Sequence, residues 1–263
     1  MESIMKNIFA VLSLVTIAGV ILVLMHTAQA KNQPKSLVYL GEYKVKPDKV
    51  DEFESVMKDF VKEMEKYDMP YTFRMFSTDI FVYYSLNEFD DYSMLDKFNA
   101  DWGVVEEKIG VKTMERYHEV EFGAIDSFKG TLLKYRPDHS FVTDSIFWKK
   151  DENSFVHWLF CYLEPSMRQE WISIQKKWLK LYRSKNIIMP FLTFTGDIGY
   201  EMPVWIYVRA SSDRGDYFSE LEKINTVFGE KGEIMLKQSL PLIKRIEVRH
   251  TIYRPDLSYL PER

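Results

Sequence analysis

The residues of this sequence that could do chemistry are isolated histidines and a repeated arginine–aspartate pair. The histidines after residue 30 lie far apart in the sequence: His118, His139, His157 and His250. The chain has no CxxC, HExxH, GxSxG or GxGxxG motif, so the spacings typical of metal, nucleophile and dinucleotide sites are missing. We therefore predict no metal site and no cofactor.

The arginine–aspartate pair occurs in two heptapeptides, YRPDHSF and YRPDLSY, which begin 253 − 135 = 118 positions apart. The pairs are Arg136 with Asp138 and Arg254 with Asp256. Residues two apart share one face of a strand, and a proline inside a strand indicates an edge or a bend. We interpret each pair as a local contact that fixes the strand where it crosses between sheets, rather than as a catalytic pair.

The two heptapeptides belong to a longer internal repeat, which predicts that the chain after the N-terminal segment is a duplicated module. Each copy opens with an alternating segment that stops at a proline, Pro47 in the first and Pro165 in the second. A stretch with apolar residues at helical spacing follows, then two strands, an amphipathic helix, a less regular helical stretch and the YRPD strand. The order β-α-β-β-α-β predicts a ferredoxin-like unit in each half.

We place the domain boundaries on the same pattern. Residues 31–142 form ferredoxin-like repeat 1, residues 143–154 a linker and residues 155–263 ferredoxin-like repeat 2. The predicted fold class is α+β. A single four-stranded sheet with helices on one face leaves its other face bare, and the largely apolar first strands require a partner sheet there.

The segment VYLGEYKVKPDKVDEFESVMKDF resembles the opening strand and helix of the dimeric α/β-barrel superfamily, which includes antibiotic-biosynthesis monooxygenases and NIPSNAP-like proteins. The resemblance implies two facing ferredoxin-like sheets that enclose a cavity, with the helices outside. A tandem chain builds this barrel by itself. Chlorite-dismutase-like proteins are similar in their tandem order, and some superfamily members carry a haem ligand on a helix. A haem-binding function through His118 or His250, both assigned to the helical stretch before the last strand, is therefore the remotest alternative.

Strand parity predicts which side chains line the chamber between the sheets. Since residues two before each proline face the helices, Glu42 faces the chamber in repeat 1. In repeat 2 the chamber-facing aromatic residues are Trp158, Phe160 and Tyr162, and the middle strands add Tyr84 and Tyr207. A carboxylate in such an apolar chamber would have a raised pKa and could carry a proton or bind a cationic or hydroxylated ligand. The alternative is that Glu42 lies at the open end and pairs with Lys44 or Arg74.

Three functions fit this chamber. The first is binding of a small, largely apolar or aromatic molecule. The second is a cofactor-free oxygenase or isomerase with Glu42 as its proton carrier. The third is a structural or interaction protein whose chamber is filled by its own aromatic side chains. Whether the protein is an enzyme stays open at this point.

The N-terminus and the charge predict where the protein works. Lys6, the apolar run from Ile8 to Met25 and the Ala28-Gln29-Ala30 sequence are typical of a signal peptide over residues 1–30, with a retained membrane anchor as the alternative. We expect a periplasmic or secreted protein, without stable membrane insertion after cleavage, as a monomer or weak homo-oligomer. The net charge of −4, without blocks of one sign, argues against a nucleic-acid partner.

Overall fold

The computed structural model describes residues 34–142, 154–185 and 187–261. The signal peptide predicted over residues 1–30 and all but the last residue of the predicted linker lie outside these ranges, so both stay predictions. Among the helices of the described ranges, none is long and apolar enough to cross a membrane.

Repeat 1 carries seven elements in the described chain. The strands are β1 (Leu37–Val45), β2 (Phe73–Ser77), β3 (Val82–Phe89) and β4 (Ile125–Tyr135), and the helices are α1 (Val50–Lys66), α2 (Ser93–Ile109) and α3 (Val111–Ala124). Pro47 opens a short 3-10 turn between β1 and α1, because its fixed φ suits the first position of a helix. Gly110, at a φ of 89°, separates α2 from α3, a conformation that favours glycine.

Repeat 2 repeats this order. Its elements are β5 (Phe155–Leu163), α4 (Arg168–Ser184), β6 (Leu192–Gly196), β7 (Val204–Ser211), α5 (Arg214–Ser239) and β8 (Ile243–Tyr259). Gly229, at a φ of 51°, interrupts α5, so the second repeat also carries a break in the helical stretch before its last strand. One correction follows for the histidines: His250 lies on β8, because β8 begins at Ile243, ten residues before the YRPD motif.

The strands of both repeats close into one antiparallel barrel in the order β1-β3-β2-β8-β5-β7-β6-β4. The two repeats join twice, through β2 with β8 and through β4 with β6. The last strand of each repeat pairs first with its own sheet and then with the other. The prediction of two tandem ferredoxin-like units forming an intramolecular dimeric α/β barrel is confirmed.

The YRPD motif lies where each last strand crosses to the other sheet. Tyr135 pairs with Phe194 of β6, and Arg254 pairs with Met75 of β2. In both copies the arginine and aspartate side chains are in contact, with Nη2–Oδ2 distances of 2.9 Å for Arg136–Asp138 and 2.8 Å for Arg254–Asp256. The predicted local contact is therefore confirmed. It holds the backbone at the bend around each proline.

Candidate functional site

In the described structure, side chains of the protein fill the part of the barrel interior around the predicted site residues. Tyr84, Trp158, Phe160 and Tyr162 all point inward as predicted and belong to one buried apolar cluster. The space among Leu40, Tyr84, Trp158, Phe160 and Arg249 has no volume for even a water molecule. The open chamber predicted between the two sheets is thus wrong for this part of the interior, because aromatic side chains from both sheets occupy it.

Glu42 lies at one end of the barrel and is paired with a cation. Arg249 Nη1 of β8 donates to Glu42 Oε2 at 2.9 Å and lies 3.3 Å from the Tyr84 hydroxyl. The Arg249 guanidinium also lies over the Phe160 ring, at 4.4 Å from its centroid. The structure therefore agrees with the alternative prediction that Glu42 forms an ion pair. The partner is Arg249 rather than the predicted Lys44 or Arg74. An ion-paired carboxylate is a poor proton carrier, so the role predicted for Glu42 is not supported.

Tyr207 is on the opposite face of the sheet from the predicted one. It pairs in register with Leu159, and both residues pack in clusters beneath the helices of repeat 2. The inward residues of β7 are its neighbours Ile206 and Val208. The prediction was wrong by one position, and a shift of one residue moves a side chain to the other face of a strand.

A cavity of about 490 Å³ opens instead between the sheet and the helices of repeat 1. We call it the main cavity. Its walls are mostly apolar and aromatic, with α1 and α2 above and the outer face of β1, β3 and β4 below. The residues that line it on the helix side include Phe60, Met64, Leu95 and Phe98, and those on the sheet side include Tyr39, Phe73, Asn87 and Leu132.

The main cavity exists because the sheet beneath the helices carries small residues. Gly41 pairs with Gly130 on one side and with Ser85 on the other. The Tyr39 ring lies over Gly130, where an added Cβ would stand 2.2 Å from the Tyr39 hydroxyl. Of this row Gly130 lines the cavity, and the rings of Tyr43 and Phe128 lie over Gly41, so aromatic rings rather than side chains of the row form the floor.

Two polar side chains, Asn87 and Asn99, face the apolar walls. The Asn87 amide donates to the Thr72 carbonyl at 3.2 Å, whereas Thr131, in register with the inward-facing Leu40, donates to the Leu40 carbonyl at 3.1 Å and points into the barrel. Asn99 lines the main cavity, and its side chain makes no hydrogen bond to any residue in the described ranges. A few polar groups on an apolar surface are typical of small-molecule sites, where they fix the orientation of the ligand.

A second space of about 200 Å³, the side chamber, adjoins the main cavity and shares the Tyr43, Phe60, Phe73 and Phe98 walls. Its ionisable residues on α3 are His118 and Glu121. Burial raises the pKa of Glu121, and the nearby His118 ring opposes that rise. Burial also raises the pKa of the Tyr43 phenol, and the Glu121 charge adds to this effect. The side chamber therefore disfavours negative charge.

Repeat 2 contributes one wall of the main cavity. Ile198, in the loop between β6 and β7, lines the cavity and remains largely exposed. Backbone hydrogen bonds hold this loop against β4: Leu132 N donates to the Ile198 carbonyl at 2.8 Å, and Asp197 N donates to the Leu132 carbonyl at 2.9 Å. The Tyr92 hydroxyl, next to α2, donates to Asp197. The cavity of repeat 1 is thus completed by the duplicated half.

The remaining histidines lie elsewhere. His157 Nδ1 and His250 Nε2 are 3.0 Å apart on the outer face of repeat 2, and His157 stacks on Tyr217. Burial, with help from Arg209 and His250, lowers the pKa of His157 to about 4, so this pair is neutral at physiological pH. Within residues 34–142, 154–185 and 187–261, no three His, Cys, Asp or Glu side chains are grouped to hold a metal ion.

The side chamber and the main cavity do not fit a haem. Their lining includes no lysine or arginine to pair with propionates. His118 is exposed, and no described residue hydrogen-bonds its ring, although iron-ligating histidines are normally oriented by such a bond. His250 is already paired with His157. Neither histidine of the haem hypothesis is therefore placed to ligate iron.

Comparison with solved structures identifies the architecture. A proposed monooxygenase from Lactobacillus acidophilus NCFM is 10% identical with a TM-score of 0.56, covering 86% of this chain and 97% of its own. An anthrone oxidase-like protein is 12% identical with a TM-score of 0.55, covering 84% and 92%. A mutant chlorite dismutase from Candidatus Nitrospira defluvii is 6% identical with a TM-score of 0.51, covering 86% and 94%.

The chain has the dimeric α/β-barrel fold. At these sequence identities the similarity shows the fold alone, and it does not assign the activities of these proteins to this chain. No protein-family model and no curated protein matches the sequence. The fold agrees with the resemblance found in the first strand and helix.

Sequence reasoning missed the residues that form the main cavity. Tyr39, Tyr43 and Glu121 are not among the predicted site residues, which lie mainly on the inner face of the sheet. One signal was available: Gly41 in β1 and Gly130 in β4 interrupt apolar strands, and a glycine inside a strand often marks a place that another group approaches closely. Their juxtaposition depends on the β1–β4 register, which the sequence does not give.

Proposed function

We propose that the protein binds a small, largely apolar or aromatic molecule in the main cavity of repeat 1. The observation that supports this most directly is the cavity of about 490 Å³ between α1, α2 and the sheet. Its size lies within the range of small-molecule sites, and apolar walls with a few polar groups are their usual lining. The ligand chamber therefore lies outside the barrel rather than between its sheets.

The direct experiment is native mass spectrometry of the protein purified from its own host, which should detect a bound small molecule. A second measure of binding is the affinity for 2-naphthol, obtained by titration with the fluorescence of the ligand as the readout. Leu95→Trp, which fills the main cavity, should weaken binding by roughly tenfold. Val104→Trp on the exposed face of the same helix is the matched control and should bind as the wild type does. Equal affinities in both variants would contradict the proposed location.

A second function, a cofactor-free oxygenase or isomerase, is supported by one specific observation. Glu121 is a carboxylate of raised pKa in an aromatic chamber beside Tyr43, and such a group can act as a general acid or base. In this version Glu121 replaces Glu42 as the proton carrier. Because a neighbour in fold is an anthrone oxidase-like protein, anthrone is a reasonable probe.

Oxygen uptake in the presence of anthrone tests the enzymatic function. Uptake by the wild-type protein should be lost in Glu121→Gln and retained in Glu119→Gln, whose carboxylate is exposed on the same helix. If the wild type binds 2-naphthol and shows no uptake above the buffer rate, the binding function stands and the oxygenase is rejected for this substrate class.

We also propose export and a monomeric or weakly associating state. The basis for export is the Lys6, apolar-run and A-x-A order of the N-terminus, and the intact mass of the host-purified protein should correspond to a start at Lys31. Recovery of the full-length chain in membranes would support the anchor instead. The closed barrel needs no second chain to complete it, and light scattering coupled to size-exclusion chromatography tests the oligomeric state.

A further inference from the structure

The side chamber combines aromatic faces with a single carboxylate. Six aromatic residues line it: Tyr43, Phe60, Phe73, Phe98, Trp102 and Tyr117. Phe60 and Trp102 lie with ring centroids 4.8 Å apart and tilted by 48°, so the rings that line this space differ in orientation. Aromatic faces attract cations through the ring quadrupole, and cages of such faces are how proteins recognise quaternary ammonium groups.

Glu121 has no cationic partner in the described structure. No lysine or arginine lines either space, and Glu121 takes part in no ion pair or side-chain hydrogen bond among the described residues. The exposed His118 ring lowers the pKa of Glu121, but by less than burial raises it. A half-buried carboxylate without a partner is destabilising, and an organic cation in the same space would supply the missing positive charge.

The two spaces share four aromatic walls, so one ligand can extend from one into the other. We propose that the side chamber binds the cationic head of an organic amine or quaternary ammonium, with Glu121 as its counter-ion and Trp102 among its cage residues, while the main cavity binds the apolar body. This inference rests on the proposed binding function. It assigns Glu121 to binding, so it also argues against Glu121 as a proton carrier.

The charge of the ligand can be tested with an isosteric pair of probes. Benzyltrimethylammonium and neopentylbenzene have the same shape and differ in the quaternary nitrogen. We expect the wild type to bind the cation at least roughly tenfold more tightly than the neutral probe. Glu121→Gln should remove most of that preference while it leaves the affinity for neopentylbenzene within about twofold, because the side chain keeps its size.

Two further variants make the result specific. Trp102→Leu should also reduce the preference for the cation, and a thermal melt of each variant shows whether it is folded. Glu119→Gln, on the exposed side of α3, should retain the full preference. If the wild type binds both probes equally, or if Glu121→Gln keeps the preference, the cation site is rejected and the apolar site stands. If neither probe binds and 2-naphthol also fails, the proposed function itself is rejected.

Discussion

The outer faces of the two sheets differ at equivalent positions, and the main cavity lies over the face with the smaller residues. In repeat 1 a row of small residues crosses three neighbouring strands: Gly130, Gly41 and Ser85. In repeat 2 the same row is occupied by larger residues: Val248, Leu159 and Tyr207. The backbone pairing is the same in both. The two outer faces are therefore distinguished at this row by side-chain volume, and in repeat 1 the Tyr39, Tyr43 and Phe128 rings lie over the glycines instead.

Duplication made this difference possible. In a homodimeric barrel every side chain is repeated by symmetry, whereas a fused pair can change one half independently. Here the first half has the main cavity, and in the second Tyr207 packs among the aromatic and aliphatic residues beneath α4. The second half also provides the Ile198 wall of the main cavity.

The largest effect on stability is expected from a smaller side chain in the row of repeat 2 that contains Val248, Leu159 and Tyr207. Tyr207→Ser gives repeat 2 the residue of repeat 1 at this position and removes a ring that packs under α4. We expect a loss of about 3 kcal/mol in the free energy of unfolding, because deletion of a packed aromatic side chain leaves a cavity. Urea denaturation measures it. Tyr39→Ala, at a ring that borders existing space, should cost about 1 kcal/mol, and equal losses would show that the two interfaces are packed alike.

The two YRPD arginines provide the next comparison. Arg254 Nη2 donates to Glu54 Oε2 on α1 at 2.7 Å, whereas Arg136 lies over the Trp205 ring at 5.3 Å from its centroid. Removing Arg254 leaves a partly buried carboxylate unpaired, so Arg254→Ala should destabilise the fold by about 2 kcal/mol. Arg136→Ala should cost about 1 kcal/mol. A larger loss from Arg136→Ala would mean that the stacking contact dominates.

The Arg254 contribution should depend on pH. The hydrogen bond from Arg254, joined by one from Tyr83, lowers the pKa of Glu54 below its ordinary value of 4.5. A lowered carboxylate pKa stabilises the fold at pH values above the unfolded-state pKa, and this contribution is lost as the pH falls through the folded-state value. The stability difference between the wild type and Arg254→Ala should therefore be constant near neutral pH and shrink below about pH 4.5.

A smaller effect on stability is expected from a larger side chain in the row of repeat 1 that contains Gly130, Gly41 and Ser85. Gly130→Val introduces the residue type that repeat 2 has at this position, and its side chain would displace the Tyr39 ring into the main cavity. The affinity for 2-naphthol should fall by roughly tenfold, while stability changes by less than about 1 kcal/mol because the Tyr39 ring can move. Ser127→Val, at an exposed position of the same strand that lines neither cavity, is the control. Unchanged affinity in Gly130→Val would place the ligand elsewhere.

The smallest effect concerns Glu42 and the barrel interior. Glu42→Gln removes the charge that faces Arg249, but Glu247 also lies 3.4 Å from the guanidinium. We expect a stability loss of about 1 kcal/mol or less and no change in the affinity for 2-naphthol. A marked loss of affinity would restore the barrel interior as the ligand site.

Local sequence patterns were sufficient to predict the order of the helices and strands. The prolines at 47 and 165 end the first strands, the spacing of Phe53, Val56 and Met64 predicts α1, and the repeated YRPD motif predicts both the duplication and the arginine–aspartate contacts. These features depend on residues close together in the chain, where alternation, helical period and proline stereochemistry act directly. The choice of one closed barrel followed from the apolar inner faces, which require a partner sheet.

Only the tertiary structure decided where the space lies. Gly41 and Gly130 meet through the β1–β4 register, Glu42 finds Arg249 on a strand more than 200 residues away, and Tyr207 faces the helices because its register differs by one residue from that of Tyr84. Each of these depends on long-range pairing and on the total volume of side chains from several elements. The sequence by itself determined the order of the elements and which of their faces are buried. Cavities form only where the packed surfaces of several elements do not match, and no local sequence pattern predicts such a mismatch.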